Sequence, residues 1–133
     1  MTRNGILKYM NWSAVAAVLL SLAVMLGAFG AHALRGRLDA YSMGIWEKAV
    51  FYHFVHALGL LIVSVLARLG AVSAPAAGWA SALLAAGIVL FSGSLYALAL
   101  SGVRVLGAVT PLGGVSFIAA WLVLAVCLLR HRG

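Results

Sequence analysis

The sequence predicts an all-α membrane protein: a four-helix transmembrane bundle with an interfacial amphipathic segment between helices 1 and 2. One reason is composition, because 65% of the 133 residues are hydrophobic and 8% are charged, whereas soluble domains carry about 25% charged residues. The mean hydropathy is +1.15. The other reason is that the charged residues leave four long uncharged windows, each able to cross a hydrocarbon core of about 30 Å as a helix. These windows are 9–34, 49–67, 69–103 and 105–129.

Helix 1 is expected over about 11–31 and is interpreted as an uncleaved membrane span. Basic residues before it and an Ala-His-Ala run at its end imitate a secretory signal peptide. The apolar run is, however, longer than a signal-peptide core. Small residues recur every four positions along this helix, and such ridges let a neighbouring helix backbone approach closely. The two ridges are Ser13, Ala17 and Ser21, and Ala23, Gly27 and Ala31.

Residues 32–48 are dense in charge, and apolar residues recur among them at helical spacing. This pattern predicts a short amphipathic helix lying in the membrane interface. Asp39 is expected to be a helix N-cap, because aspartate accepts hydrogen bonds from first-turn N–H groups. It would cap either the second part of this segment or an extended helix 2. Helix 2 itself is expected over about 49–68.

Helices 3 and 4 are separated from their neighbours by turn-forming residues. Residues 73–78 contain Pro and Gly and are expected to form a linker, which places helix 3 at about 79–100. Thr110 followed by Pro111 is typical of an N-cap and a first helical residue. Helix 4 is therefore expected over about 110–129, and the whole chain, 1–133, is expected to form a single domain.

The net charge of +7 comes from basic residues that flank the apolar windows. This placement is typical of contact with lipid headgroups, so we expect the lipid bilayer as partner and no nucleic acid. Four helices put both termini on one side of the membrane. That side holds Arg3, Lys8, Arg68, Arg130 and Arg132, against Arg35, Arg37, Lys48 and Arg104 on the other. The positive-inside rule then favours cytoplasmic termini.

Polar residues converge in the half of the predicted bundle that lies beneath the helix 1–2 and helix 3–4 connections. Helix 1 would end there, helix 2 and helix 4 would begin there, and helix 3 would pass its second half there. The candidate ligand-binding residues are His32, Tyr52, His56, Ser92, Ser94, Tyr96, Arg104 and Thr110. We interpret this clustering as the main functional signal of the sequence.

The chemistry of this cluster leaves several roles open. Three imidazoles, His32, His53 and His56, have the donor type that transition metals use. Two imidazoles on facing helices can hold a haem iron, and a histidine can also transfer protons. The simpler interpretation is that these side chains hydrogen-bond across helices and hold the bundle together. No motif of an enzyme nucleophile or a zinc hydrolase is present in the sequence, and no cofactor is specified.

Ordered segments resemble a known family. They are Gly27–His32, Tyr52 with His56, Leu90–Tyr96, and Thr110-Pro111 with Gly113-Gly114. Together they are similar to the YgdD-like family of small bacterial inner-membrane proteins, a domain-of-unknown-function family with eukaryotic transmembrane relatives. The similarity extends over about 12–129. It implies a small multi-pass protein of the bacterial inner (plasma) membrane with no established activity or cofactor.

The resemblance also bears on individual residues. His32, His56 and Arg104 match the family pattern, whereas His53 stands where a glutamine is usual. This departure weakens the hypothesis of a three-histidine metal site.

The leading functional hypothesis is a non-enzymatic membrane component that packs against itself, as a homo-oligomer, or against a larger membrane complex. The alternative is a binding site for lipid, quinone, haem or metal in the outer half of the bundle. A third hypothesis is an oligomeric transporter, since one bundle of four helices offers little room for a pathway.

Overall fold

The computed structural model describes residues 11–131, which fold into four long helices joined by short turns. The helices are α1 Trp12–Leu34, α2 Ala40–Arg68, α3 Ala74–Ser101 and α4 Thr110–Arg130. A 3₁₀ turn, Arg104–Ala108, precedes α4. All four helices are long and apolar enough to cross a membrane. The protein is therefore a multi-pass membrane protein with an all-α, four-helix bundle fold, which confirms the predicted fold class.

The helices pack in chain order: α1 on α2, α2 on α3, and α3 on α4. The two middle helices are the most buried: 44% of the residues in the most apolar 18-residue stretch of α2 are buried, and 39% in that of α3. The corresponding figures are 17% for α1 and 22% for α4. The main core lies against the middle helices and includes Leu60, Val63 and Leu84, all fully buried. Most of the surface of α1 and α4 therefore faces outward, toward lipid.

Two of the helices contain a π-helical turn, in which one extra residue widens the helix. α1 ends in such a turn, Gly30–Leu34, where the Arg35 N–H donates to the Gly30 carbonyl at 3.1 Å. α3 contains the other, Ile88–Gly93. Both turns lie in the half of the bundle nearest the α1–α2 and α3–α4 connections, which we call the loop-side half. π turns are rare and interrupt the 3.6-residue spacing of an α-helix.

α2 begins at Ala40 rather than at about 49. The Asp39 carboxylate accepts a hydrogen bond from the Ser42 N–H at 2.7 Å, and this cap satisfies a first-turn donor that has no intrahelical partner. Asp39 therefore caps an extended helix 2, the second of its two expected roles. The amphipathic stretch 32–48 is divided between the end of α1, a short turn and the first turns of α2.

The start of α3 corrects the expected linker at 73–78. Ser73 is the N-cap, and its hydroxyl accepts from the Ala76 N–H at 3.4 Å. Pro75 lies in the first turn, where its missing N–H has no intrahelical role and its fixed φ suits the helix. Proline therefore starts this helix instead of breaking it. α4 begins at Thr110 as expected, but Thr110 is its first helical residue rather than its cap.

Close packing of α3 on α4 depends on Gly113. A β-carbon at Gly113 would overlap the backbone of Phe91, whereas one at Gly114 would lie 3.9 Å from the nearest atom of the Phe91 ring. Backbone atoms cannot move aside as a side chain can. The two adjacent glycines therefore differ sharply in how much space they leave.

We predict that Gly113→Ala lowers the free energy of unfolding by about 1–3 kcal/mol, the usual cost of overpacking. Gly114→Ala is the matched control and should be neutral or slightly stabilising, because alanine favours the helix. Unfolding by SDS in mixed micelles, followed by circular dichroism, measures both. Equal stability of the two variants would contradict this account of the α3–α4 contact.

The Asp39 cap also predicts a dependence on pH. Hydrogen bonds from Ser42, the backbone bond first, lower the pKa of Asp39 from its usual value of 3.8. A lowered pKa in the folded state contributes stability at neutral pH that is lost as the pH falls below about 3.8. In Asp39→Asn the cap should remain and this contribution to acid destabilisation should disappear. A nuclear magnetic resonance titration with an Asp39 midpoint at or above 3.8 in the folded protein would refute this interpretation.

Candidate functional site

The loop-side half of the bundle brings together most of the predicted site residues. α2 contributes Tyr52, His53 and His56, and α3 contributes Ser92, Ser94 and Tyr96, while Thr110 comes from the start of α4. These side chains are buried or half-buried. The clustering inferred from helix order is thus present on three of the four helices.

His53 and Tyr96 form a buried polar pair between α2 and α3. The Nδ1 atom of His53 lies 2.9 Å from the Tyr96 hydroxyl oxygen, and His53 is only 3% exposed. Its Nε2 atom is buried and has no hydrogen-bond partner within residues 11–131. The ring faces the backbone of Leu19 in α1, but without hydrogen-bond geometry. An unpartnered nitrogen in an apolar interior is costly, so the Tyr96 bond supplies the stabilisation that this ring has.

His56 is held by stacking. Its Nδ1 lies 2.8 Å from the Tyr52 carbonyl oxygen one helical turn earlier, so Nδ1–H donates to that oxygen. The imidazole lies flat on the Phe117 ring of α4, with centroids 3.5 Å apart and planes 11° apart. The Tyr52 ring is nearly parallel to the imidazole, with planes 8° apart and centroids 5.8 Å apart. His56 therefore serves as a flat spacer between α2 and α4.

Ser92 and Ser94 connect α3 to different neighbours. Side chains that are two residues apart on a helix point to nearly opposite sides. The Ser92 hydroxyl donates to the Ala49 carbonyl of α2 at 2.8 Å. The Ser94 hydroxyl donates to the Phe91 carbonyl at 2.9 Å, so Thr110 of α4 donates to Ser94, at 2.7 Å. A single Ser-Gly-Ser stretch thus links three helices.

Two of the predicted residues lie outside this cluster. His32 is in the π turn that ends α1 and is exposed, and Arg104 is exposed at the start of the 3₁₀ turn. His53 and His56 are both on α2, so they cannot bind one haem from facing helices. Within residues 11–131, no three His, Cys, Asp or Glu side chains are placed to hold a metal ion. The described residues therefore do not assemble the hypothetical site of His32, His53 and His56.

Sequence reasoning missed the aromatic half of the cluster. Trp46 is 2% exposed and donates from Nε1 to the Leu26 carbonyl at 3.0 Å. Its ring packs against Tyr96 with centroids 4.7 Å apart. Phe91 and Phe117 complete the surroundings of Tyr52. Glycines in the neighbouring helices were the one sequence feature that could have indicated these aromatic contacts, because glycine leaves room for a ring. The sequence alone does not show which glycine faces which ring.

Comparison with known proteins identifies relatives. A family model described as "Protein of unknown function (DUF423)" matches residues 26–114. A UPF0382 membrane protein of Staphylococcus epidermidis is 52% identical over 112 residues, which are 84% of this chain and 89% of the relative. The UPF0382 membrane protein YwdK of Bacillus subtilis is 49% identical over 112 residues, 83% of this chain and 89% of the relative. No solved structure matches.

The His53–Tyr96 pair generates a prediction. Tyr96→Phe removes the hydroxyl and leaves both His53 nitrogens unpartnered, so the free energy of unfolding should fall by about 1 kcal/mol, typical of interhelical hydrogen bonds in membranes. Tyr41→Phe is the control, because Tyr41 is 76% exposed.

The double variant His53→Phe/Tyr96→Phe should lose less stability than the sum of the single changes. Detergent unfolding of the four proteins measures these differences. If Tyr96→Phe changed the free energy of unfolding no more than Tyr41→Phe does, the His53–Tyr96 hydrogen bond would not stabilise the fold.

Proposed function

The chain belongs to the DUF423 family, which is described as of unknown function, and from this premise we propose that it is a non-enzymatic membrane component. It acts by packing against other membrane helices, either those of a second copy or those of a larger membrane complex. We place it in the bacterial inner (plasma) membrane with cytoplasmic termini, and we retain the YgdD-like resemblance as part of this proposal. Arg3, Lys8 and Arg132, which contribute to the charge bias behind this orientation, lie outside the described residues.

The internal chemistry supports a structural role. The hydroxyls of Ser92, Ser94 and Thr110 form hydrogen bonds between helices. The Nδ1 atom of His53 bonds Tyr96 of α3, and that of His56 bonds the Tyr52 carbonyl within α2. A general base or a nucleophile needs a free polar atom facing a substrate space. Because these polar atoms already bond other groups of the protein, few of them are free to act on a substrate.

The observation that carries the proposal is the orientation of the two small-residue ridges on α1. Ala23 is fully buried, and a β-carbon at Gly27 would lie 3.4 Å from Val50 of α2. In the other ridge, Ala17 and Ser21 lie on the exposed surface of the least buried helix, whereas Ser13 bonds Ser64 of α2 at 2.9 Å. Helices in lipid associate through such small-residue surfaces, since close backbone approach replaces the hydrophobic drive.

A small-molecule site is the second candidate, and the unpartnered Nε2 of His53 is the observation that favours it. A ligand or an ordered water that accepts or donates at this atom would remove its cost. An oligomeric transporter is a further possibility, for which an assembly of several copies is the prerequisite.

The proposal predicts contact between copies along the exposed ridge of α1. Single cysteines at Ala17 and Ser21, in a Cys127→Ser background, should form disulfide-linked dimers in native membranes under mild oxidation. Val115→Cys is the matched control, because Val115 is 64% exposed on α4 and lies on no small-residue ridge. Ala17→Trp should abolish the crosslink at Ser21, since a bulky side chain separates the backbones.

Crosslinking to a different membrane protein at these positions, instead of to a second copy, would support the larger complex. A chain that stays monomeric and free of partners in native membranes would defeat the proposal, as would equal crosslinking at Val115.

A further inference from the structure

A groove runs along the outer surface between α1 and α2 in the loop-side half, with a volume of about 470 Å³. It is distinct from the histidine cluster and from the exposed Ala17–Ser21 ridge. Its α1 wall contains Gly27 and Gly30, which have no side chains to fill the space. Trp46 lies directly over Gly30, where an added β-carbon would be 2.5 Å from the indole Nε1. The bond from this nitrogen to the Leu26 carbonyl fixes the indole in place.

The groove is polar at one end and apolar over the rest of its length. Arg35 and Glu47 line the end nearest the α1–α2 turn, and both are exposed. Further along α2 the lining is Phe51, Phe54 and Leu58. At 1.5 Å per residue, Glu47 and Leu58 are about 16 Å apart along the helix axis. Arg35 lies in the turn before α2, and Glu47 lies seven residues after the first residue of α2. We place this end of the groove near the lipid headgroups, because it is the end nearest the α1–α2 turn.

We propose that this groove binds one phospholipid with a primary-amine headgroup, such as phosphatidylethanolamine. The phosphate would pair with Arg35, since guanidinium matches phosphate oxygens. The ammonium would donate to Glu47, and an acyl chain would lie along the apolar floor. A cation and an anion that line the same end of an apolar groove complement a zwitterionic headgroup. A transmembrane helix of a second copy, with its backbone already hydrogen-bonded, would leave both charges unused.

The headgroup chemistry gives a sharp test. Phosphatidylcholine has a quaternary ammonium without N–H donors, and phosphatidylglycerol has no ammonium. Purified protein exchanged into nanodiscs containing equal amounts of the three lipids should retain about one phosphatidylethanolamine per chain after transfer to mild detergent. Native mass spectrometry should give about a tenfold preference over the other two lipids, the factor expected for one charge-assisted hydrogen bond.

Variants separate the parts of the site. Glu47→Gln should abolish the headgroup preference, and Arg35→Gln should lower retention of all three lipids. Leu58→Trp should also lower retention of all three, because it fills the apolar floor. The matched controls are Lys48→Gln, Arg37→Gln and Val115→Trp, which are exposed positions outside the groove and should behave like the unaltered protein.

Two results would overturn the proposal. One is a retained lipid population that mirrors the nanodisc composition, or that responds equally to Glu47→Gln and Lys48→Gln. The other is a disulfide-linked dimer formed through Val55→Cys, a groove residue, which would make a second copy the occupant. Ala17 and Ser21 do not line this groove. A negative result in the lipid-binding experiment would therefore not affect the crosslinking test of the proposed function.

Discussion

A polar group inside the hydrocarbon core of a membrane has no water to bond, so it must find its partner within the protein. This constraint organises the loop-side half of the bundle. Each pair of consecutive helices is joined there by at least one side-chain hydrogen bond. The bonds are Trp46 to Leu26 between α1 and α2, Ser92 to Ala49 and His53 to Tyr96 between α2 and α3, and Thr110 to Ser94 between α3 and α4. Polar residues thus specify which helices are neighbours, and at which depth in the membrane they contact each other.

Glycine and aromatic residues then set the distance between the helices. Large rings on one helix rest where a neighbour has only hydrogen: Trp46 on Gly30, Trp121 on Gly59, and Phe117 on Gly87. The stacked His56 extends the same arrangement, since it lies flat on Phe117. The interior is consequently closed by rings and hydrogen bonds, while the outer faces of α1 and α4 remain open. We therefore expect function to lie mainly on the surface of the bundle.

The sequence predicts the fold well because bilayer thickness sets helix length, and charged residues mark where the windows end. It predicts less about the site. His32 was placed with the other histidines because helix 1 ends in the same half of the bundle. Helix order does not state which way a side chain points, and in the π turn at Gly30–Leu34 His32 is exposed. The pairing of His53 with Tyr96, and of Phe117 with His56, depends on contacts between distant segments that periodicity along one helix does not encode. Pro75 was expected to interrupt a helix. It lies in the first turn of α3 instead, because Ser73 caps that helix just before it, and the sequence alone did not identify this cap.

We propose that the buried histidines, His53 and His56, hold the bundle together as structural side chains. The most direct test is the absorption spectrum and the elemental metal content of protein extracted gently from native membranes, beside a His53→Ala/His56→Ala variant. We predict that both preparations are colourless and free of stoichiometric metal, and that the variant is less stable. A haem band, or one metal ion per chain that the variant loses, would contradict the claim and make these rings ligands.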